Sequence, residues 1–503
     1  MLSGLLLGLA FPKFGHGLVA WVALVPLLLA LPGTSPRRAA GLGYLTGLVA
    51  GVVLLYWTAL VAVQYGGLPL GLAGAVLLLL AAAVALFPAL FAWSVARCCQ
   101  GLGPAGLLLA PVAWVATETL RAYTFFRFPW CLLGYSQQAF PVMIQIADVT
   151  AVYGVSFVVV APAAVAAYLR VEPLGHRRRR ALAALALLLG VTLGYGVWRL
   201  REPSATDTGL RVGLVQADIR QEIKWDPTRA LDNVARHVAL TREAAARSAR
   251  LVVWPESALP FLYDEAPMLR AELQALAARE GVYLFFGNDD VRRRGNSEQA
   301  FVGAKLLRPD GRLGLRYHKM RLVPFGEYVP LQPLLTLGGR VTAKLVQRVA
   351  DFSPGESHVL GEVDGRRLSG LICYEVIFPD LAREFVARGA ELLVNVTNDG
   401  WYGRTSAPHQ HLMMAAFRAV ENRRFLVRAA NTGISAVIDP HGRIVARSAL
   451  FEARALVEDV FFQRQVTFYS RFGDVFAFGC LLLAAGVSAA GPAVRFRRAG
   501  RPR

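Results

Sequence analysis

Three side chains of complementary reactivity close three short motifs in the second half of the chain. Glu256 lies in WPES (254–257), Lys319 in RYHKMRLVPFGEYVP (316–330) and Cys373 in GLICYEVIF (370–378). Each follows a short apolar run, so each is expected at the end of a strand. A carboxylate, an ammonium and a thiol are what thiol-mediated acyl transfer needs. The thiolate attacks a carbonyl and forms a thioester. The carboxylate takes the thiol proton and returns it to the leaving group. The ammonium stabilises both the thiolate and the oxyanion. Lysine is scarce here: five (Lys13, Lys224, Lys305, Lys319, Lys344) stand against 49 arginines. A lysine at 319 therefore suggests a need for a compact point charge. Each residue also has a plainer reading. Cys373 suits a buried core thiol, Glu256 a first-turn helix cap, and Glu327 a carboxylate that holds its own loop.

These groups need a scaffold, and residues 209–462 carry the pattern of one. LRVGLVQAD (210–218), LVVWPES (251–257), VYLFFGND (282–289), LSGLICYE (368–375) and ELLVNVTND (391–399) read as strands. Helical patterns occupy 229–249, 267–280, 380–388 and 408–424. AFVGAKLLRPDGRLGLRYHK (300–319) reads as a hairpin turning at PDG, and ISAVIDPHGRIVAR as a second turning at DPHG. Strand–helix alternation with hairpins predicts a mixed α/β sandwich. On a continuing strand, Tyr374 and Glu375 point to opposite faces. At most one then shares the face of Cys373, unless the chain turns after the cysteine.

The rest of the chain is too apolar for an ordinary soluble protein: 55% of residues are hydrophobic and the mean hydropathy is +0.42. A membrane span needs roughly 20 predominantly apolar residues. Such segments are expected at 2–12, 17–32, 40–63, 68–96, 104–122, 150–169 and 181–198, with an eighth at 473–492; the first is short. The expected domains are a membrane domain over 1–200, a catalytic domain over 209–462, a span at 473–492 and a basic tail at 493–503. The net charge of +19 is carried largely by arginines that flank these segments: Arg37, Arg38, Arg97, Arg170, Arg177–Arg180, Arg495, Arg497, Arg498, Arg501 and Arg503. This is the positive-inside pattern rather than a nucleic-acid footprint. It places both termini in the cytoplasm and residues 200–472 outside. Five cysteines without a CxxC pair give no metal or disulfide framework. His409 and His411, two apart on a helix, do not share a face. Trp57, Trp93, Trp114, Trp130 and Trp198 near span ends read as interfacial anchors, and Glu118 as a partner of Arg121 one turn on.

The motifs together resemble the nitrilase, or carbon–nitrogen hydrolase, superfamily with its Glu–Lys–Cys triad. The whole chain resembles the apolipoprotein N-acyltransferase family of bacterial membrane enzymes. Besides the triad, the likeness rests on FRFPWCLLGYSQ (126–137), IKWDP (223–227), PFGEYVP (324–330), CYEVIFPD (373–380) and NVTNDGWYG (395–403). It implies about eight spans plus an extracytoplasmic αββα sandwich, in the inner membrane with the catalytic domain periplasmic. The implied reaction moves an acyl chain from a phospholipid, typically phosphatidylethanolamine, to a cysteine and on to the α-amino group of a diacylglyceryl-cysteine apolipoprotein. It implies Glu256 as general base, Lys319 as oxyanion stabiliser and Cys373 as nucleophile, with Trp225, Glu327, Tyr374 and Glu375 supporting or binding substrate. In this superfamily the chain turns sharply after the cysteine. No cofactor, metal or nucleic acid is implied, and a monomer is expected. The apolar stretches 258–268 and 322–339 suit a membrane interface, so Leu259 and Phe261 are expected to line a lipid-accessible cleft. The competing readings are a membrane-tethered amidase or nitrilase acting on small amides, and a non-catalytic transporter or scaffold.

Overall fold

The structure is a computed structural model that describes residues 1–124, 127–204, 209–294, 297–330 and 351–499. Phe126, residues 331–339 of the second apolar stretch, and Arg501 and Arg503 of the basic tail lie outside the described residues. The chain forms two compact units. One comprises Met1–Glu202, Thr405–Glu421 and Thr467–Arg503; the other comprises Pro203–Arg404 and Asn422–Val466. The helix Ala407–Asn422 thus groups almost entirely with the first unit, although its sequence lies among the strands of the second.

The first unit is helical. Four stretches among the described residues are long and apolar enough to cross a membrane: Pro36–Leu55, Leu70–Tyr123, Ala147–Val171 and His176–Leu200. The second of these breaks at a 3-10 turn, Gly103–Leu109, into Leu70–Leu102 and Ala110–Tyr123. Gly17–Leu29 and Val475–Ala489 are shorter apolar helices. The first expected segment forms only the helix Leu2–Gly8, about 10 Å long at 1.5 Å per residue, short of the ~30 Å hydrocarbon core. Helices 36–55 and 70–102 pack through small residues. A Cβ on Gly43 would lie 2.2 Å from the Pro88 carbonyl oxygen, and one on Gly51 3.0 Å from Ala81 Cβ. Without a hydrophobic force between helices in lipid, such close approach is the source of their attraction.

Several buried charged groups in this unit are paired. Arg199 pairs with Asp148 at 2.9 Å and Arg418 with Glu421 at 2.8 Å. Glu421 also accepts from the Val152 amide at 3.1 Å, just after Ala151 interrupts helix 147–171 with φ +52. Glu118 accepts from the Trp114 indole at 3.0 Å and from the Leu133 amide at 2.6 Å, so its carboxylate orders the 127–137 loop. The expectation for the tryptophans is corrected at three positions. Trp57, Trp114 and Trp130 are buried, and Trp130 donates to Gln410 at 2.8 Å, whereas Trp198 is exposed. A buried indole N–H seeks an acceptor; Trp114 finds Glu118 one turn on in its own helix, and Trp130 finds Gln410 on helix Ala407–Asn422.

The second unit is a sandwich of two six-stranded sheets. Its strands are β1 (Gly209–Gln216), β2 (Leu251–Val253), β3 (Tyr283–Gly287), β4 (Asp290–Arg294), β5 (Ser297–Phe301), β6 (Gly303–Leu307), β7 (Leu313–His318), β8 (Leu360–Val363), β9 (Arg366–Ile372), β10 (Leu392–Thr397), β11 (Leu426–Ala430), β12 (Ala436–Ile438), β13 (Ile444–Arg447) and β14 (Arg454–Phe461). The sheet orders are β14-β1-β2-β3-β6-β7 and β13-β12-β11-β10-β9-β8, with β4-β5 a separate ribbon. Strands β1, β2 and β3 run parallel, as do β9, β10 and β11, and antiparallel strands extend both groups. Alternation along β3 shows how the layers form. Leu284 and Phe286 join a core with Leu273, Leu276 and Ala277 of helix Pro267–Glu280 and Val234 of helix Ala230–Ala246. Phe285 between them faces the other sheet, 3.0 Å from where a Cβ on Gly370 would sit. Strands covered on both faces read as continuous apolar runs, as YLFFG of β3 and LVV of β2 do. Leu259, expected at a lipid-accessible cleft, belongs instead to this core at 1% exposure, with Phe261 packed against it. The chain after β2 is pinned to the exit of β3, where Ala258 N donates to the Gly287 carbonyl and Asn288 bonds Phe261 O and Tyr263 N, and that holds both side chains against the core.

Candidate active site

Parallel strands leave their carboxyl ends on one edge, and ligands of open α/β sheets bind beyond that edge. The reactive residues emerge there. Glu256 follows β2, Lys319 follows β7 and Cys373 directly follows β9. The chain turns at the cysteine: Cys373 has φ +48 and begins the 3-10 turn Cys373–Ile377. A left-handed non-glycine residue costs of order 1–3 kcal/mol, and such strain clusters at functional sites. Strand alternation therefore stops applying to Tyr374 and Glu375.

Lys319 is fully buried and bridges two carboxylates. Its Nζ donates to Glu256 Oε1 at 3.0 Å and to Glu327 Oε1 at 2.5 Å. Glu256 Oε2 accepts from the Asn398 backbone amide at 3.0 Å. No helix begins at Glu256, since the next one starts only at Pro267, so the capping alternative falls away. Glu327 Oε2 accepts from the Val323 amide at 2.9 Å. This carboxylate thus both orients the lysine and closes its own loop. Glu375 has no exposure and gathers four donors: Ile372 N at 2.7 Å, Tyr317 Oη at 2.7 Å, Met320 N at 2.6 Å and Arg321 N at 3.2 Å. It locks the exit of β7, where Lys319 stands, to the turn that presents Cys373. Tyr374 is buried edge-on to Phe378, with ring centroids 5.2 Å apart. Trp225 is 49% exposed.

The electrostatics follow from this geometry. Burial pushes the Cys373 thiol up to about 12, with the Glu256 carboxylate pushing the same way and Lys319 pulling down. The thiol is therefore protonated near neutrality, and nucleophilic attack requires a base. Burial alone would lower Lys319, but Glu256 and Glu327 outweigh it and hold the ammonium well above its usual range. Burial raises Glu327, and raises Glu375 to about 7.

Sequence reasoning missed several members of this site. Lys224 is buried and donates to the Glu256 carbonyl oxygen at 3.0 Å. Asn398 supplies an amide to Glu256 and joins Gln221 at 2.9 Å. Asp399 pairs with Arg428 at 2.7 Å, both without exposure. Gly287 lets β3 pass against the Glu256 backbone, where a Cβ would lie 2.5 Å from Glu256 Cα. Lys224 carried a usable signal, since it sits inside IKWDP and is one of only five lysines.

Residues 3–165 match the family described as apolipoprotein N-acyltransferase N-terminal domain, and residues 211–464 match carbon-nitrogen hydrolase. The apolipoprotein N-acyltransferase of Geobacter metallireducens is 42% identical over 504 residues, covering 99% of this chain and 95% of that protein. That of Methylococcus capsulatus is 36% identical, covering 96% and 93%. An amidase from Nesterenkonia sp. of known structure aligns with 52% of this chain and 94% of its own at 24% identity and a TM-score of 0.39.

Proposed function

The chain belongs to the apolipoprotein N-acyltransferase family, and from that premise we propose how its site carries the reaction. The protein is a bacterial membrane acyltransferase that moves a fatty acyl chain from a membrane lipid to an apolipoprotein. In the first half-reaction Glu256 takes the Sγ proton of Cys373. The thiolate attacks the sn-1 ester carbonyl of a phospholipid, and Lys319 and its neighbours stabilise the oxyanion. The ester C–O bond breaks, Glu256 returns the proton to the leaving glycerol oxygen, and a lysophospholipid departs. In the second half-reaction the free α-amine of a diacylglyceryl-cysteine attacks the thioester. Glu256 takes the amine proton, the C–S bond breaks, and the thiolate is reprotonated as the amide forms.

Glu327 holds Lys319 in place, Glu375 fixes the turn after β9, Tyr374 packs the wall beside Cys373, and exposed Trp225 engages substrate. Phosphatidylethanolamine is the proposed donor. About eight spans, both termini cytoplasmic, a catalytic domain on the periplasmic side and a monomer complete the reading; the arginines at the span ends support the orientation. The observation that carries the reaction is the Glu256–Lys319–Glu327 bridge at 3.0 and 2.5 Å, acting on a buried thiol held at φ +48. Intact-protein mass spectrometry tests it. Incubation with phosphatidylethanolamine alone is expected to add one fatty-acyl mass to the wild type, discharged by a diacylglyceryl peptide with a free amine. Cys373→Ser is expected to show no thioester. A folded wild type that gains no adduct but hydrolyses small amides sinks the acyltransferase reading in favour of the tethered amidase.

A further inference from the structure

We propose that Lys224 is a positioning residue that ties the loop carrying Trp225 to Glu256. The inference rests on Glu256 acting as the base of the acyl transfer proposed above. Lys224 and Trp225 are neighbours with opposite exposures, 5% and 49%. The lysine turns inward and donates to the Glu256 carbonyl oxygen at 3.0 Å. Its Nζ also lies 5.7 Å from the centroid of the Trp225 ring. One ammonium thus touches the backbone of the base on one side and the exposed indole on the other. Asn233, on helix Ala230–Ala246, holds the same loop by donating to the Ile223 carbonyl at 3.2 Å and the Lys224 carbonyl at 3.4 Å.

Burying an ammonium is costly unless it is paired, and the surroundings compensate with negative charge. The carboxylates that face it are Glu256 and Asp289, beside the neutral Cys373 thiol and with His237 on the helix beneath. Asp289, after β3, accepts from Ser257 at 3.1 Å, so it braces the residue next to the base. Burial lowers Lys224 to about 8 while Glu256 and Asp289 oppose the shift, which leaves it charged at neutral pH. The Glu256 and Asp289 carboxylates hold that charge in place, and the hydrogen bond to the Glu256 carbonyl oxygen fixes where it sits. Contact of an acyl chain with Trp225 is thereby transmitted to Glu256 through one side chain.

The test is single-turnover acylation of Cys373 by phosphatidylethanolamine in mixed micelles from pH 5 to 9, read by intact mass, on the full chain. Lys224→Met removes the charge and keeps the length. It is expected to move the acid limb of the rate up by about one pH unit, so that acylation below the limb falls about tenfold. Lys224→Arg keeps the charge and is expected to keep the limb. Trp225→Ala removes no charge, yet it loosens the loop and is expected to move the limb in the same direction by less. An unshifted limb in Lys224→Met overturns the proposal, and an unshifted limb in Trp225→Ala overturns the coupling. Trp225 is half exposed, so that variant decides the matter if Lys224→Met does not fold. A wild type that never acylates sinks the acyltransferase reading and this inference with it. A wild type that acylates beside an unshifted Lys224→Met sinks only the inference.

Discussion

Replacing Gly287 with alanine isolates the contribution of position to the work of Glu256. The substitution adds one methyl group, no charge and no polar atom. An added Cβ would stand 2.5 Å from Glu256 Cα, 2.5 Å from Ser257 N and 2.7 Å from the Pro255 carbonyl oxygen. All three are backbone atoms, so no flexible side chain can swing aside. Reaching an ordinary contact of 3.4 Å requires the two segments to part by 0.9 Å, the difference from 2.5 Å. Glu256 is held by Lys319 Nζ and Asn398 N, each at 3.0 Å. A shift of that size takes both beyond hydrogen-bond length. A 1 Å misplacement costs about 10²-fold in rate, or ~2.7 kcal/mol of barrier, beside about 1–3 kcal/mol of overpacking in stability. The assay is single-turnover acylation of Cys373 by phosphatidylethanolamine, with thermal unfolding as the control for folding. The expected result is a rate down about a hundredfold at all pH values, because no charge near the base has changed. A folded Gly287→Ala that acylates within about threefold of wild type refutes the claim that Glu256 must be held in place.

Three further outcomes follow from the same geometry. Arg428→Met strands Asp399 as a buried charge, so stability should fall by about 3–5 kcal/mol; adding Asp399→Asn should restore part of it, and additive losses in thermal unfolding would contradict the pairing at 2.7 Å. Glu375 stands at about 7 in the folded state against an ordinary 4.5. The native state therefore holds more protons than the unfolded chain between those values, and this group's contribution to stability falls as pH rises through the window. The melting-temperature difference between wild type and Glu375→Gln should shift in favour of the variant from pH 5 to 8, and a constant difference would reject the buried titration. Iodoacetamide should label Cys373 more slowly than a free cysteine at pH 8, because burial holds the thiol up at about 12; peptide mapping that finds fast labelling would show a thiolate already formed.

Much of this protein was legible in one dimension, for identifiable reasons. The two sheets are covered on both faces, so their strands appear as mostly apolar runs rich in β-branched residues, such as LLVNVT at 392–397. The hairpin turns at PDG and DPHG announce themselves through residues with special backbone preferences. Apolar length likewise marks the long helices from 36 to 200. Less visible were partners set by approach. Nothing local marks Leu259 as core rather than membrane-facing, because the tie of the 254–266 segment to the exit of β3 decides what covers it. Nothing local marks Trp57, Trp114 and Trp130 as buried rather than interfacial, because burial depends on which helices pack over them, and Trp130 meets its acceptor Gln410 280 residues away.

The reactive inventory, its position at strand ends, the apolar helices and the family could all be read from the residues in order. Those depend on residue type and short-range pattern, which are local. Only the tertiary structure decided who holds whom. Lys319 finds Glu256 across 63 residues, Asn398 reaches the same carboxylate across 142, and Lys224 reaches its backbone across 32. Glu375 passes from a supposed strand residue to the knot between β7 and the Cys373 turn, which no periodicity encodes. Hydrogen bonds act over about 3 Å, so they exist only once two sheets have brought distant ends of the chain to one edge.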